Sequence, residues 1–335
     1  MNIPTLMTRI AALRGHSIPI SSQPAPLDTE NSKVITASAD EQIESAKGVA
    51  TVRNVEFARY KGAQPNGSDI ILRMDITKPR APGRHPLVVY IPGGGFVVVA
   101  KIGARGMRRY VSAAGYVVAS VEYRTTRYGS TYVDGVADVR AAIAFLRSHA
   151  DEYDIDPSRV AVWGESAGGY LASMVGVTNR NKRFDPDGTG DVLAVVNKFG
   201  GSSLGRLAEG FDPATVAATD AEGGPIARYI HGPRAKFIGD DPAAVNTADP
   251  ATYATATTPP FLLFHGSDDR LISPVQTAAL HHALRAAGAD STRYVVLGAG
   301  HGDIAVKGGE EKFWTTVPMM RIITDFLDGA LRARK

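Results

Sequence analysis

The eleven residues Val160-Ala-Val-Trp-Gly-Glu-Ser-Ala-Gly-Gly-Tyr170 constrain this chain more than any other stretch. An apolar, β-rich run ends at Gly-Glu-Ser-Ala-Gly and passes without a linker into the helix-competent Tyr-Leu-Ala-Ser-Met-Val. A serine at such a strand-to-helix turn is held in a strained backbone conformation, so that its Oγ projects beyond the end of the sheet. The incoming strand and outgoing helix then pass very close together. Gly164 and Gly168, two residues either side of Ser166, remove the side chains that would collide there. In a chain with 35 glycines a bare G-x-S-x-G arises by chance. Its setting between strand and helix is what makes Ser166 a candidate nucleophile.

The surrounding pattern has the same rhythm. Segments 86–91, 116–121, 160–164, 260–264 and 292–297 read as buried strands, and 104–114, 132–149, 167–177, 274–287 and 312–331 as helices. Val136, Val139, Ala142, Ile143 and Leu146 share one face of the second of these helices. Before them, 51–60 and 68–77 alternate apolar and polar residues around the turn-rich Lys61-Gly-Ala-Gln-Pro-Asn-Gly67, the pattern of an antiparallel hairpin with one wet face. The expectation is an α/β fold: a mostly parallel central sheet with an antiparallel N-terminal hairpin, helices on both faces, and a cap. Residues 1–50 read as a lead-in contributing to the cap, and 51–335 as one domain. Within it, 178–258 breaks the rhythm, with one strand at 192–197, and reads as an insertion contributing to the cap. Ile3, Leu6, Met7, Ile10 and Leu13 suggest a short amphipathic helix near the start.

A serine alone is a weak nucleophile and needs a base, and an acid to orient that base. On a sheet of this kind the order is Ser, then Asp or Glu, then His, each on a loop beyond a strand's C-terminal end. After the strand at 261–264 comes His265-Gly-Ser-Asp-Asp269, and after that at 294–297 comes Gly298-Ala-Gly-His301-Gly. Of the eight histidines, His301 alone sits in a Gly-flanked loop at the right place. His281 and His282 read as surface residues of a helix and His265 as a structural residue. Either Asp268 or Asp269 serves as the acid on this pattern. The triplet Gly93-Gly-Gly95 closes an early strand, where backbone N–H groups, together with that of Ala167, suit a developing oxyanion.

Other chemistries are excluded or disfavoured. With no cysteine there is no disulfide, thiolate metal site or cysteine nucleophile. The net charge of +3 comes from scattered basic residues, without the basic stripe interleaved with aromatics that nucleic acid requires. No apolar run approaches the ~18–20 residues of a membrane span. The N-terminus lacks the apolar core of a signal peptide, so a cytoplasmic location is expected, with export still open. Asp185-Pro-Asp-Gly-Thr-Gly-Asp191 lacks the distal Glu of a calcium loop and reads as a polar turn. No cofactor and no metal are expected.

Taken together, Ile91-Pro-Gly-Gly-Gly-Phe96, Val121-Glu-Tyr-Arg124, the segment 138–146, the segment 154–160, Gly164-Glu-Ser-Ala-Gly-Gly169, His265-Gly-Ser-Asp-Asp269 and Gly300-His-Gly302 resemble the α/β-hydrolase superfamily. They are most similar to carboxylesterases of its hormone-sensitive-lipase and feruloyl-esterase-like branches. The resemblance runs from about residue 52 onward and fails in the lead-in and the insertion. It implies the α/β-hydrolase fold and serine hydrolysis of a small-molecule carboxylic ester. It also implies Asp269 as the acid, since the family's His-Gly-x-x-Asp places it there, and Gly93, Gly94 and Ala167 as oxyanion donors. Arg124 and Asp138 become structural polar residues. Pro92 departs from the family, which has His before the glycines. Cleavage of an amide or formamide, acyl transfer, and a non-catalytic ligand-binding relative are the alternatives.

Overall fold

The computed structural model describes residues 18–64, 66–302 and 310–332. The amphipathic helix expected near the start lies outside them. Among the described residues nine strands form one sheet: β1 (Lys33–Thr36), β2 (Val49–Tyr60), β3 (Ile70–Pro79), β4 (His85–Ile91), β5 (Val117–Val121), β6 (Ile155–Glu165), β7 (Ala194–Lys198), β8 (Phe261–Gly266) and β9 (Ser291–Leu297), in the spatial order 1-9-8-7-6-4-5-3-2. β2 pairs antiparallel with β3, and β3 with β5; every other pairing is parallel. This is the α/β-hydrolase fold, with the N-terminal hairpin where its alternation predicts it.

The parallel strands are apolar on both sides because helices cover both faces. Leu87, Val89, Ile91 and Val162 pack with α2 (Tyr132–Ser148), α3 (Ala167–Val177) and α7 (Val275–Ala286). Val88, Tyr90, Trp163 and Val196 alternate onto the other face, against α1 (Arg105–Ala113) and α8 (Val317–Leu331). Burying each such aliphatic side chain is worth about 1.5–3 kcal/mol. Parallel strands all end at one edge, so the loops leaving β4, β6, β8 and β9 converge there.

Two expectations need correction. The lead-in contains a strand: β1 pairs parallel with β9 at the sheet edge, and Gln42 bridges to Thr316. Four mostly exposed residues carry no periodicity, so this strand was illegible; its place is set from outside. Arg293 of β9 donates to the Asp28 carbonyl and to Ser32 Oγ, fastening the chain beside that edge. The segment 178–258 is also more regular than its composition suggests. Besides β7 it holds α4 (Pro213–Thr219), α5 (Pro225–His231) and α6 (Pro242–Thr247), each opening on a proline at its first turn.

The start of that segment is fixed by Arg140, a buried residue of α2. Its guanidinium donates to the carbonyls of Val175, Thr178 and Gly190 and pairs with Asp185 at 3.5 Å. Removing one member of such a buried network strands the others. Arg140→Met is therefore expected to destabilise the protein by about 3–5 kcal/mol, read as a lower urea midpoint. A midpoint that does not move would show the network carries no net stability.

Candidate active site

Ser166 sits between β6 and α3 at φ 54°, ψ −124°, a conformation that costs a non-glycine residue of order 1–3 kcal/mol. The turn closes at this angle because strand and helix backbones touch. A Cβ on Gly164 would lie 2.0 Å from the Gly168 carbonyl oxygen, and one on Gly168 would lie 2.0 Å from that of Ile91. The Ser166 N–H donates to the Lys198 carbonyl at the end of β7.

The structure brings Ser166, His301 and Asp269 into one line. Ser166 Oγ lies 2.9 Å from His301 Nε2, and His301 Nδ1 lies 2.6 Å from Asp269 Oδ2. Between Asp268 and Asp269, the second is the one that faces the histidine. Its other oxygen accepts the N–H groups of Leu271 and Ile272. Burial works to raise the Asp269 pKa, but His301 and His265 outweigh it and hold the carboxyl well below the usual carboxylate range. Phe199 packs its ring 4.8 Å from that of His301, backed edge-on by Trp314, whose indole N–H donates to the Gly300 carbonyl.

His265, read as structural, lies against Asp269. Its Nε2 is 3.2 Å from Asp269 Oδ2 and 3.0 Å from the Ile272 carbonyl, both acceptors. Its Nδ1 lies 2.9 Å from Thr277 Oγ1, which accepts from Arg293 Nε. The two acceptors at Nε2 place a proton on that nitrogen, the Nε2–H tautomer of the neutral ring. Burial lowers its pKa despite the neighbouring Asp269, in keeping with that neutrality. Of the helical pair, His281 is not a surface residue. It is buried, near Ser291 Oγ and the Asn31 carbonyl, because the lead-in covers its side of α7. His282 is half-buried and pairs with Asp28.

Gly93 faces the serine: a Cβ there would lie 2.9 Å from Ser166 Cβ and 3.6 Å from its Oγ. The Ala167 N–H belongs to the first turn of α3, where N–H groups have no intrahelical acceptor. Gly94 adopts φ 152° and its carbonyl accepts the N–H groups of Val97 and Val98, closing the loop. Phe96, at its far end, stacks on Tyr229 of α5 and meets Tyr170 of α3 edge-on. Arg124 and Asp138 pair with each other at 2.9 Å, with the Tyr60 hydroxyl donating to the same carboxylate. Asp185 is committed to Arg140 and the Gly190 N–H. No sequence signal pointed to Phe199, Trp314 or Tyr229, which lie in segments without motif character. Among the described residues, no helix is long and apolar enough to cross a membrane.

The family model described as BD-FAE matches residues 74–284, more than half of the chain. Among curated proteins, the probable carboxylic ester hydrolase LipM of Mycobacterium tuberculosis is 28% identical over 67% of this chain and 49% of its own. The esterase LipC of the same organism is 29% identical over 79% of this chain and 62% of its own. The chain thus spans about half to three-fifths of the length of these relatives. Among solved structures, a truncated carbohydrate esterase from gut microbiota superposes with a TM-score of 0.67 at 22% identity, covering 89% of this chain and all of that one. A Thermogutta terrifontis esterase gives 0.60 at 22% identity, covering 83% and 94%.

The buried histidines make the stability pH-dependent. His265 and His281 are both held below the ordinary histidine value of 6.5, chiefly by burial. The unfolded chain takes up protons there that the folded one refuses, so their contribution is full above that pH and lost as pH falls through it. The depressed Asp269 acts at far lower pH, because its contribution is lost only as pH falls below the ordinary carboxylate value of 3.8. Thermal midpoints are therefore expected to fall between pH 7.5 and 5.5, and less steeply in His281→Gln. A flat profile would contradict the neutral assignment.

Proposed function

The chain belongs to the BD-FAE family, and on that premise we propose that it is a serine hydrolase of carboxylic esters, acting through Ser166, His301 and Asp269. The observation that carries the proposal is the continuous line from Ser166 Oγ through the His301 ring to Asp269, with Gly93 beside the serine. Relatives named as esterases favour esters over amides as the substrate class.

Ser166 Oγ attacks the ester carbonyl while His301 Nε2 takes its proton. Asp269 accepts from His301 Nδ1, holding the productive tautomer and stabilising the imidazolium that forms. The carbonyl oxygen becomes an oxyanion held by the N–H groups of Gly93, Gly94 and Ala167. Its negative charge also meets the positive end of α3. His301 then protonates the leaving alcohol, and water repeats the sequence on the acyl-enzyme to release the acid. Neither metal nor cofactor is needed for any step.

Parts of the lead-in from Ile18 onward and of the 178–258 segment outside β7 contribute to the cap that sizes the substrate. Ile18 Cδ1 lies 3.8 Å from the position of a Cβ on Gly95, and the Ser21 N–H donates to the Arg270 carbonyl beside the acid. Asp212 of the insertion accepts from Ser21 Oγ and from the Ser22 N–H and hydroxyl. The lead-in thus runs from the oxyanion loop to the acid loop and is tied there to the insertion.

Ser166→Ala is expected to abolish hydrolysis of p-nitrophenyl acetate and labelling by a fluorophosphonate probe. Asp269→Asn, which leaves the line in place but reverses the histidine tautomer, is expected to lower kcat by about 10⁴. Labelling that survives in Ser166→Ala would sink the assignment.

A further inference from the structure

We propose that Tyr123 is a positioning residue that aims the Gly93 N–H at the oxyanion, an inference that rests on the oxyanion hole proposed above. Pro92 has neither an N–H nor a polar side chain, so its carbonyl is its only hydrogen-bonding group. The Tyr123 hydroxyl donates to that carbonyl at 2.9 Å, in a fully buried contact. Burial pushes the phenol pKa above its ordinary range, so the group remains a donor.

The Pro92 C=O and the Gly93 N–H belong to a single planar trans peptide and point in opposite directions. Fixing the carbonyl on Tyr123 therefore fixes the direction of the N–H on the other side. Gly93 lies beside the serine, a Cβ on it falling 3.6 Å from Ser166 Oγ, and the proposal places its N–H on that side. Gly168 leaves room for the carbonyl: a Cβ there would lie 2.7 Å from the Pro92 oxygen.

The residues after Tyr123 hold the rest of the loop. Thr125 Oγ1 donates to the Val97 carbonyl at 2.8 Å. The Thr126 N–H and hydroxyl both donate to that of Phe96, at 2.9 and 3.1 Å. The Phe96 end is thus fastened by two threonines and two aromatic rings, whereas the Pro92–Gly93 peptide depends on one hydroxyl. Without it, a buried carbonyl loses its partner, and turning that peptide to find another takes the Gly93 N–H out of line.

The test compares Tyr123→Phe with the parent enzyme. Complete loss of one oxyanion donor costs 10²–10³ in rate, so a misaimed one should lower kcat and kcat/KM together by roughly tenfold. KM should stay within about twofold, and affinity for an aryl boronic acid transition-state analogue should fall by the same factor as kcat. Incorporating 4-aminophenylalanine at 123, whose amine donates in place of the hydroxyl, should restore both. An unchanged kcat in Tyr123→Phe overturns the inference, as does a fall in kcat without a matching loss of boronate affinity. If Tyr123→Phe does not fold, the 4-aminophenylalanine protein decides alone: parental kcat and boronate affinity support a donor at this place, and a tenfold deficit in either overturns it. A parent enzyme that fails to bind the boronate more tightly than the ester overturns the oxyanion hole itself, which is a separate failure.

Discussion

The site depends on one steric constraint, the contact between the end of β6 and the start of α3. Because residues 164 and 168 have no Cβ, the helix backbone can lie against the strand it leaves. Three consequences follow from that single approach. Ser166 is forced to positive φ and its Oγ leaves the sheet. The first N–H groups of α3 open towards the same space. The Ile91 and Pro92 carbonyls fit against Gly168, bringing the glycine loop beside the serine. A methyl group at 168 would disturb the turn, the helix start and the loop together.

Across the site the organising force is electrostatic. Asp269 is completely buried, and an isolated carboxylate there would be prohibitively costly. It is kept ionised by dividing its acceptor capacity: two backbone N–H groups on one oxygen, two imidazoles on the other. One imidazole, His301, reaches the serine. The other, His265, is locked by Thr277 and the Ile272 carbonyl and holds the carboxylate in place. Thr277 is itself held by Arg293, which also fastens the lead-in, so the strand at the sheet edge and Asp269 share a support.

What the sequence made legible was what short-range chemistry dictates. The strand–turn–helix at Ser166, the loops carrying Asp269 and His301, and the amphipathic faces of α2 and the hairpin all have local signatures. Those elements lie within a residue or a few of where the pattern put them; α3 spans the expected residues, while β6 begins earlier. β1 had no such signature, because four mostly exposed residues become a strand only through pairing with β9. Short helices in the insertion were obscured by Gly, Pro and Asp, which begin and end helices as readily as they break them. His281 was misjudged because a helix's polar face is exposed only if nothing else covers it. The choice of Asp269 over Asp268 lay beyond spacing and came from resemblance; in the structure Asp269 Oδ2 lies 2.6 Å from His301 Nδ1.

Behind the elbow lies a second buried charge system with a different physical character. Lys198, wholly buried, places its Nζ 2.7 Å from Glu165 Oε1 and near the rings of Phe199 and Trp314, and the Tyr90 hydroxyl donates to the other Glu165 oxygen. Taking both charges out of water roughly cancels their attraction, so the pair is a poor source of net stability. Its directionality is what an apolar pair would lack. Glu165 and Lys198 end adjacent parallel strands and are register partners, and Tyr90 comes from the strand on the other side of β6. A slip of one residue between β6 and β7 would separate the charges inside an apolar layer, and one between β4 and β6 would take the Tyr90 hydroxyl away from Glu165. The strand ends carrying the glycine loop and Ser166, and the carbonyl that holds the Ser166 N–H, are thereby tied in one register at the edge where the site is assembled.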